Sequence, residues 1–389
     1  MKSIAMKSNR WLLATCLVVS AGWSYASAAG PAKETGPAKA EGAAKEQRSP
    51  QERAATNDRL KDLLKRFPKA DANGDGVLTA QEAQDYKTNV LDKQQPGQAG
   101  RTRAALQAPT QENVSYGPHE RNVLDFYRAK SDKPTPLIIY IHGGGFVGGD
   151  KRSFSPQILQ SAHNDGISVA AIHYRFIDGK DVLLPMPQRD SARAVQFLRS
   201  KAKEWNIDPT RIACFGGSAG AGCSMWIGFH DDLADPNSSD PVLRESTRIT
   251  AIGTMGGQST YDPIEIKRLI GGRAWEHPSI FKSYGLAGPE EAQNPTPEQK
   301  KLYDEAASIK HLTKDDPPLY MTYNEADGPL PENARPGQGI HHPNFGRQLK
   351  AKMDELGIEN VFVNMSDPKA DRPTMDMYGF FKKHFGMSN

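Results

Sequence analysis

The sequence predicts an α/β fold, a mostly parallel sheet with helices on both faces, preceded by a small helical unit. Two observations carry this prediction. From about residue 111, short apolar runs alternate with helical stretches, the pattern of a sheet built from βα units. The strand-like runs are also apolar at consecutive positions, as strands covered on both faces must be.

The elements follow in order. NVLDFY is an early strand, and PLIIYIHGGGF is an apolar run that ends in glycines. ISVAAIHYRF is a further strand, and PQRDSARAVQFLRSKAKEW reads as one helix. RIACFGGSAG is a strand running into a turn; ITAIGTMGG and PPLYMTYN are later strands. NFGRQLKAKMDELG is a helix with Leu349, Met353 and Leu356 on one face and Gly357 as its stop. NVFVNM is the last strand and MYGFFKKHF a closing helix. The long helix-rich stretch 262–312, with Trp275, Phe281 and Tyr284, is the natural cap over the carboxyl edge of the sheet.

The region before the sheet divides into three parts and a connector. Residues 1–28 read as a cleaved export signal: Lys2, Lys7 and Arg10, then the apolar WLLATCLVVSA, then Ala26-Ser27-Ala28. The apolar core is too short for a stable bilayer span, so no membrane span is expected after cleavage, and the protein is expected to be exported. Residues 29–52 are rich in Ala, Lys, Glu, Pro and Gly and read as a disordered linker. Residues 53–92 form a helical unit in which Leu60, Leu63, Leu64 and Phe67 make one apolar stripe; 93–110 is a second linker, and 111–389 the main domain.

Within 53–92, DANGDGVLTAQE matches the twelve-residue EF-hand loop. Asp71, Asn73 and Asp75 present oxygens at positions 1, 3 and 5, and Gly76 makes the turn at 6. Val77 offers its carbonyl at 7, Thr79 stands at 9, and Glu82 supplies a bidentate carboxylate at 12. The expected cofactor is structural Ca2+. A lone EF-hand is expected to dock on another surface or to pair between chains, with Leu78 at the contact.

The 389 residues carry 49 basic and 46 acidic side chains, mixed along the chain, which argues against a nucleic-acid partner. Cys16 leaves with the signal; Cys214 and Cys223 read as buried free thiols, and no spacing suggests a thiolate metal site.

The chemistry lies in two glycine motifs at predicted strand ends. CFGGSAGAG places Ser218 in a G-x-S-x-G turn, where Gly216 and Gly220 avoid clashes and the hydroxyl is lifted above the sheet edge. HGGGF, at His142 to Phe146, presents backbone N–H groups, so Gly143 and Gly144 with Ala219 form a candidate three-donor oxyanion hole. YIHGGGFVGGDKRS and RIACFGGSAGAG resemble the α/β-hydrolase superfamily, specifically the hormone-sensitive-lipase-like esterases, over roughly residues 111–387. The resemblance implies an eight-stranded sheet, a helical cap and serine-ester hydrolysis. It also implies an acid after the next-to-last strand. Asp327 stands there, with Glu325 as competitor.

The resemblance places the catalytic histidine after the last strand, but NMSDPKADRPTMDMYG contains none. Two readings follow. In one, His342 or His341, from GQGIHHPNFG in the 324–342 loop, serves Ser218, with Asp327, Asp367 or Asp371 orienting the imidazole. In the other, the base is missing and the fold is a calcium-dependent binding module. The favoured expectation is an exported carboxylesterase acting on small esters or ester-decorated glycans; amide hydrolysis would use the same parts.

Overall fold

The computed structural model describes residues 64–65, 67–71, 76–78, 107–331, 333–369 and 372–387. The expected export signal, the expected 29–52 linker and most of the segment from 53 to 106 therefore lie outside the described residues. The chain divides into two compact units, Met1–Pro96 and Gly97–Asn389.

The second unit is built on an eight-stranded sheet. Its strands are β1 (Gln111–Ser115), β2 (Val123–Tyr127), β3 (Thr135–Ile141), β4 (Ser168–Ile172), β5 (Ile207–Gly217), β6 (Ala251–Met255), β7 (Leu319–Tyr323) and β8 (Asn360–Asn364). Their spatial order is β1-β2-β4-β3-β5-β6-β7-β8. β1 and β2 pair antiparallel, as do β2 and β4; every later pairing is parallel. β1 is absent from the sequence expectation because its side chains are almost all exposed, leaving no apolar alternation to read.

β3 shows why the sheet lies inside the molecule. All seven of its residues are buried. Leu137, Ile139 and Ile141 belong to one core cluster, and Ile138 and Tyr140 to the cluster on the opposite face. This alternation is what turns a continuous apolar run into a strand covered twice.

The helices are α1 (Pro156–Asn164), α2 (Met186–Ser200), α3 (Ala202–Trp205), α4 (Ala219–Phe229), α5 (Pro263–Ile270), α6 (Pro278–Ser283), α7 (Pro289–Gln293), α8 (Pro297–Ala306), α9 (Ser308–His311), α10 (Asn344–Leu356) and α11 (Met377–His384). α1 and α11 pack Leu159, Ala162, Phe380 and Phe381 into one face; α2, α4 and α10 supply the other. The helix expected over 187–205 is interrupted at Lys201, where ψ opens to 0°. α10 ends at Gly357 in the left-handed conformation, as the sequence predicts. The 262–312 stretch is a run of short helices, α5 to α9, most of them started by proline in the first turn.

β3 lies between β4 and β5, so the chain crosses in opposite directions on leaving it and on returning beside it. That switch point lies at the carboxyl ends of β3 and β5, where α/β sheets bind ligands. The loop after β3 is tied down by a buried pair: Lys151 Nζ lies 2.9 Å from Asp125 Oδ2 and donates to Asn113 Oδ1 at 2.7 Å. Removing the lysine would leave a carboxylate with no exposed surface only the Asn113 N–H at 2.8 Å and the more distant Arg152 Nε at 3.7 Å. Lys151→Ala should cost about 3–5 kcal/mol in urea unfolding, the range for breaking a buried pair from one side; a loss below ~1 kcal/mol would contradict this account.

Candidate active site

Both glycine motifs sit at the switch point. Ser218 follows β5 directly and caps α4 with φ 51° and ψ −119°, a left-handed conformation forced on a residue with a Cβ. The turn is held by the Ser218 N–H, which donates to Met255 O at 2.9 Å at the end of β6. It also requires close backbone approach. A Cβ on Gly216 or on Gly220 would collide with the carbonyl oxygen of Ile141, the last residue of β3.

The HGGG loop starts from that same residue. A Cβ on Gly143 would lie 2.7 Å from Gly217 O and 3.6 Å from Ser218 Cβ, so the first glycine of the loop lies against the serine. Among the described residues, neither the Gly143 nor the Gly144 N–H is hydrogen-bonded. Ala219 is the first residue of α4, so its N–H has no intrahelical acceptor.

His142 anchors the loop from below. It is fully buried, lies 4.3 Å from Tyr174 in a stacked arrangement, and holds Gly143 O through Nδ1 at 2.8 Å. Burial pushes its pKa down to about 4. Neighbouring His173 is pushed down to about 3 by burial and by the Arg121 guanidinium, which donates to its Nδ1 at 3.1 Å.

The imidazole that reaches Ser218 belongs to His341: its Nε2 lies 2.9 Å from Ser218 Oγ. The ring packs over Gly256, just past β6, where an added Cβ would touch its Cβ and Cδ2 at 3.4 Å. His341 Nδ1 faces Glu325 Oε1 at 3.5 Å. That is ion-pair rather than hydrogen-bond length, and such contacts commonly tighten when substrate binds.

Three expectations are corrected here. His342 is not the histidine at Ser218. It is 2 % exposed, its Nε2–H donates to Gly328 O at 2.8 Å, and its Nδ1 accepts the Asn344 N–H at 3.1 Å at the start of α10. With both ring nitrogens engaged, it fixes the loop. Asp327 does not reach His341 either; Arg347 on α10 holds its two oxygens in a forked ion pair, with Nη1 to Oδ1 at 3.0 Å. Asp367 turns inward on its own loop and accepts the Lys369 N–H at 2.8 Å. Asp371 lies outside the described residues.

The loop after β8, where the resemblance puts the histidine, instead supports Glu325. Ser366 Oγ donates to the Glu325 carbonyl at 2.6 Å, and the Met365 N–H donates to Tyr323 O at 2.7 Å. Two more side chains border the site without having been read from the sequence. His277 lies near His341, and burial with that neighbour lowers its pKa. Ser279 Oγ accompanies it, bonded to His277 Nδ1 at 2.7 Å and 3.2 Å from where a Gly145 Cβ would stand. His277 is the N-cap of α6 and Ser279 lies in its first turn, and neither position gave a sequence signal. Cys214 and Cys223 are both buried free thiols.

A family model described as BD-FAE matches residues 124–334, more than half of the chain. The chain belongs to the BD-FAE family. It is thereby a member of the α/β-hydrolase esterase superfamily, and the matched span runs from β2 to the 324–342 loop, covering Ser218, both glycine motifs and Glu325. His341 lies just beyond the family match. This BD-FAE chain is 27% identical over 259 residues to a probable isoprenylcysteine alpha-carbonyl methylesterase of Arabidopsis thaliana, covering 66% of this chain and 52% of that protein. It is 25% identical over 223 residues to a probable carboxylic ester hydrolase of Mycobacterium tuberculosis, covering 56% and 48%. The chain thus spans about half the length of these curated relatives. Among solved structures, a truncated carbohydrate esterase from gut microbiota superposes with a TM-score of 0.53 at 21% identity, over 72% of this chain and 98% of that one. A bifunctional Bacteroides eggerthii protein gives 0.52 at 18%, over 70% and 38%. Both likenesses establish the fold. Among the described residues, no helix is long and apolar enough to cross a membrane.

In the N-terminal unit, the described part of the acidic loop fits a calcium loop. Asp71 Oδ2 accepts the Gly76 N–H at 2.8 Å, and Gly76 turns with φ 77°. Leu78 is buried and Val77 exposed. Asn73, Asp75, Thr79 and Glu82 lie outside the described residues.

The two most strongly depressed histidines, His142 and His173, contribute to a pH dependence. Unfolded, each binds a proton near its ordinary value of 6.5; folded, His142 does so only near 4 and His173 near 3. Their stability contribution is therefore complete above pH 6.5 and is lost as pH falls toward 4. The slope should be about 1.4 kcal/mol per pH unit for each histidine. Urea midpoints between pH 7 and 4 should show this, with a shallower slope in His173→Gln; a flat profile would refute it.

Proposed function

We propose that the protein is an exported serine carboxylesterase that cleaves small esters or ester-decorated glycans through an acyl-serine intermediate. The observation that carries this reading is the 2.9 Å approach of His341 Nε2 to Ser218 Oγ. Ser218 Oγ attacks the ester carbonyl carbon as His341 Nε2 takes its proton. The carbonyl electron pair moves onto oxygen, and the N–H groups of Gly143, Gly144 and Ala219 are its donors. Collapse of this adduct expels the alcohol, which leaves with the proton from His341. Water then adds to the acyl carbon, giving its proton to His341, which returns it to the departing Ser218 oxygen as the acid is released. Glu325 orients the ring and offsets the charge of the transient imidazolium.

The glycan part of the proposal draws on the carbohydrate esterase neighbour, whose fold this chain shares. It also fits an open site. His341 and Glu325 are each more than a third exposed, and apolar Met255 and Val147 stand exposed beside the elbow and the glycine loop. Export rests on the leader-like first 28 residues. Calcium, held by the loop from Asp71 to Glu82, supplies a structural tie.

Steady-state hydrolysis of p-nitrophenyl acetate tests the assignment. Ser218→Ala and His341→Ala should each lower kcat by roughly 10³-fold or more, and Glu325→Gln by roughly 10²–10⁴-fold. Asp327→Asn and His342→Gln should keep kcat within about threefold while lowering Tm. Full activity in His341→Ala would remove the proposed base. Calcium is tested separately by calorimetry on the full chain. One equivalent should bind at roughly 10⁻⁴–10⁻³ M, and Asp71→Ala should abolish it; no calcium binding by the unmodified protein would discard the cofactor.

A further inference from the structure

A second cluster of chemically capable side chains lies at the far end of the nucleophile helix. One ring nitrogen from His230, one from His311 and a carboxylate oxygen of Glu305 all lie within 4.8 Å of one another. His230 is the C-cap of α4, Glu305 lies in α8 and His311 ends α9. His230 precedes the 262–312 insertion, whereas Glu305 and His311 both lie near its end. None belongs to the Ser218 site: α4 is an 11-residue helix, which spans about 16 Å from the serine to His230.

The hydrogen bonds around the cluster set the ring tautomers. His230 Nδ1 lies 3.1 Å from the Asp231 carbonyl, so it carries the proton and leaves the lone pair on Nε2. His311 Nε2 lies 2.9 Å from the Glu305 carbonyl, so it carries the proton and leaves the lone pair on Nδ1. Metal-ligating histidines are oriented in this way, with the second ring N–H held by a backbone carbonyl. The lone pair of His230 Nε2 then faces Glu305 Oε1 at 3.5 Å. A bridging cation, or a second proton on the His230 ring, turns this facing of two acceptors into an attraction. The separation is also about that of two donors on one tetrahedral zinc, at ~2.0–2.2 Å from each. The cluster is braced: Trp226 Nε1–H donates to the Glu305 carbonyl at 2.8 Å, and the His230 and His311 rings lie 4.5 Å apart. Arg189 Nη2 also reaches Glu305 Oε1, at 2.7 Å, but a carboxylate has lone pairs enough to serve both an arginine and a metal.

We propose that His230, His311 and Glu305 form a binding site for a borderline divalent transition metal such as Zn2+. Two imidazoles and one carboxylate are a donor set suited to zinc, with water completing the coordination. The bound ion is a clip. It ties the end of the nucleophile helix to the last turn of the cap insertion, and no catalytic step runs through it.

The test is calorimetric titration of Zn2+ into the full-length protein, stripped with chelator and then saturated with Ca2+ so that the acidic N-terminal loop is occupied. The unmodified protein should bind one equivalent and gain in Tm. His230→Ala and His311→Ala should each weaken that binding at least tenfold and abolish the Tm gain. Co2+ substitution gives a readout that needs no variant: absorption bands of a four- or five-coordinate N/O site should develop to one equivalent. No zinc or cobalt equivalent on the unmodified protein, or unaltered affinity in both histidine variants, would overturn the site and leave the cluster as a His–Glu ion pair.

Discussion

The structure depends on one steric constraint, the contact between the end of β3 and the turn after β5. The carbonyl of Ile141 occupies the space that side chains on Gly216 and Gly220 would need. Because that contact is closed by backbone, the strained Ser218 conformation and the HGGG loop are positioned by the same few atoms. The strain at Ser218 is sustained by what surrounds it: the Met255 carbonyl, the fully buried β3 and the helix that starts at Ala219. Buried His142 extends this support, since its neutral ring fixes the carbonyl of the first oxyanion-loop glycine.

Around that rigid centre, the remaining groups are supplied by a loop. The connection after β7 carries Glu325 and His341, and it is pinned at both ends. Ser366 holds the Glu325 carbonyl, and Gln258 Nε2 donates to the Ile340 carbonyl at 2.7 Å. His342 secures the middle by bonding back to Gly328. The two adjacent histidines thus divide the work. One ring enters the core with both nitrogens satisfied, and the other is turned toward the serine.

Much of this was legible in the sequence. Buried runs such as LIIYI announce themselves because strands covered on both faces have no polar side to show. The two glycine motifs are legible because close backbone approach excludes every other residue. The choice between Asp327 and Glu325 was not legible, because it is made by Arg347, which meets the loop only through the packing of α10. Nor was the choice between His341 and His342, since neighbours in a loop share a sequence context and differ only in direction. β1 escaped notice for the opposite reason to β3: at an exposed edge, backbone pairing alone makes the strand. His277 and Ser279 reach the site through the cap, whose fold no periodicity encodes.

Placing the proposed acid and base on a single connection has a consequence for how such a centre can change over time. When the two arise from separate strands, relocating either one leaves the other without its partner and the intermediate forms impaired. Here they are inherited as one contiguous cassette between β7 and α10, so a single insertion, deletion or recombination event can replace both together. The sheet and elbow beneath would be left untouched.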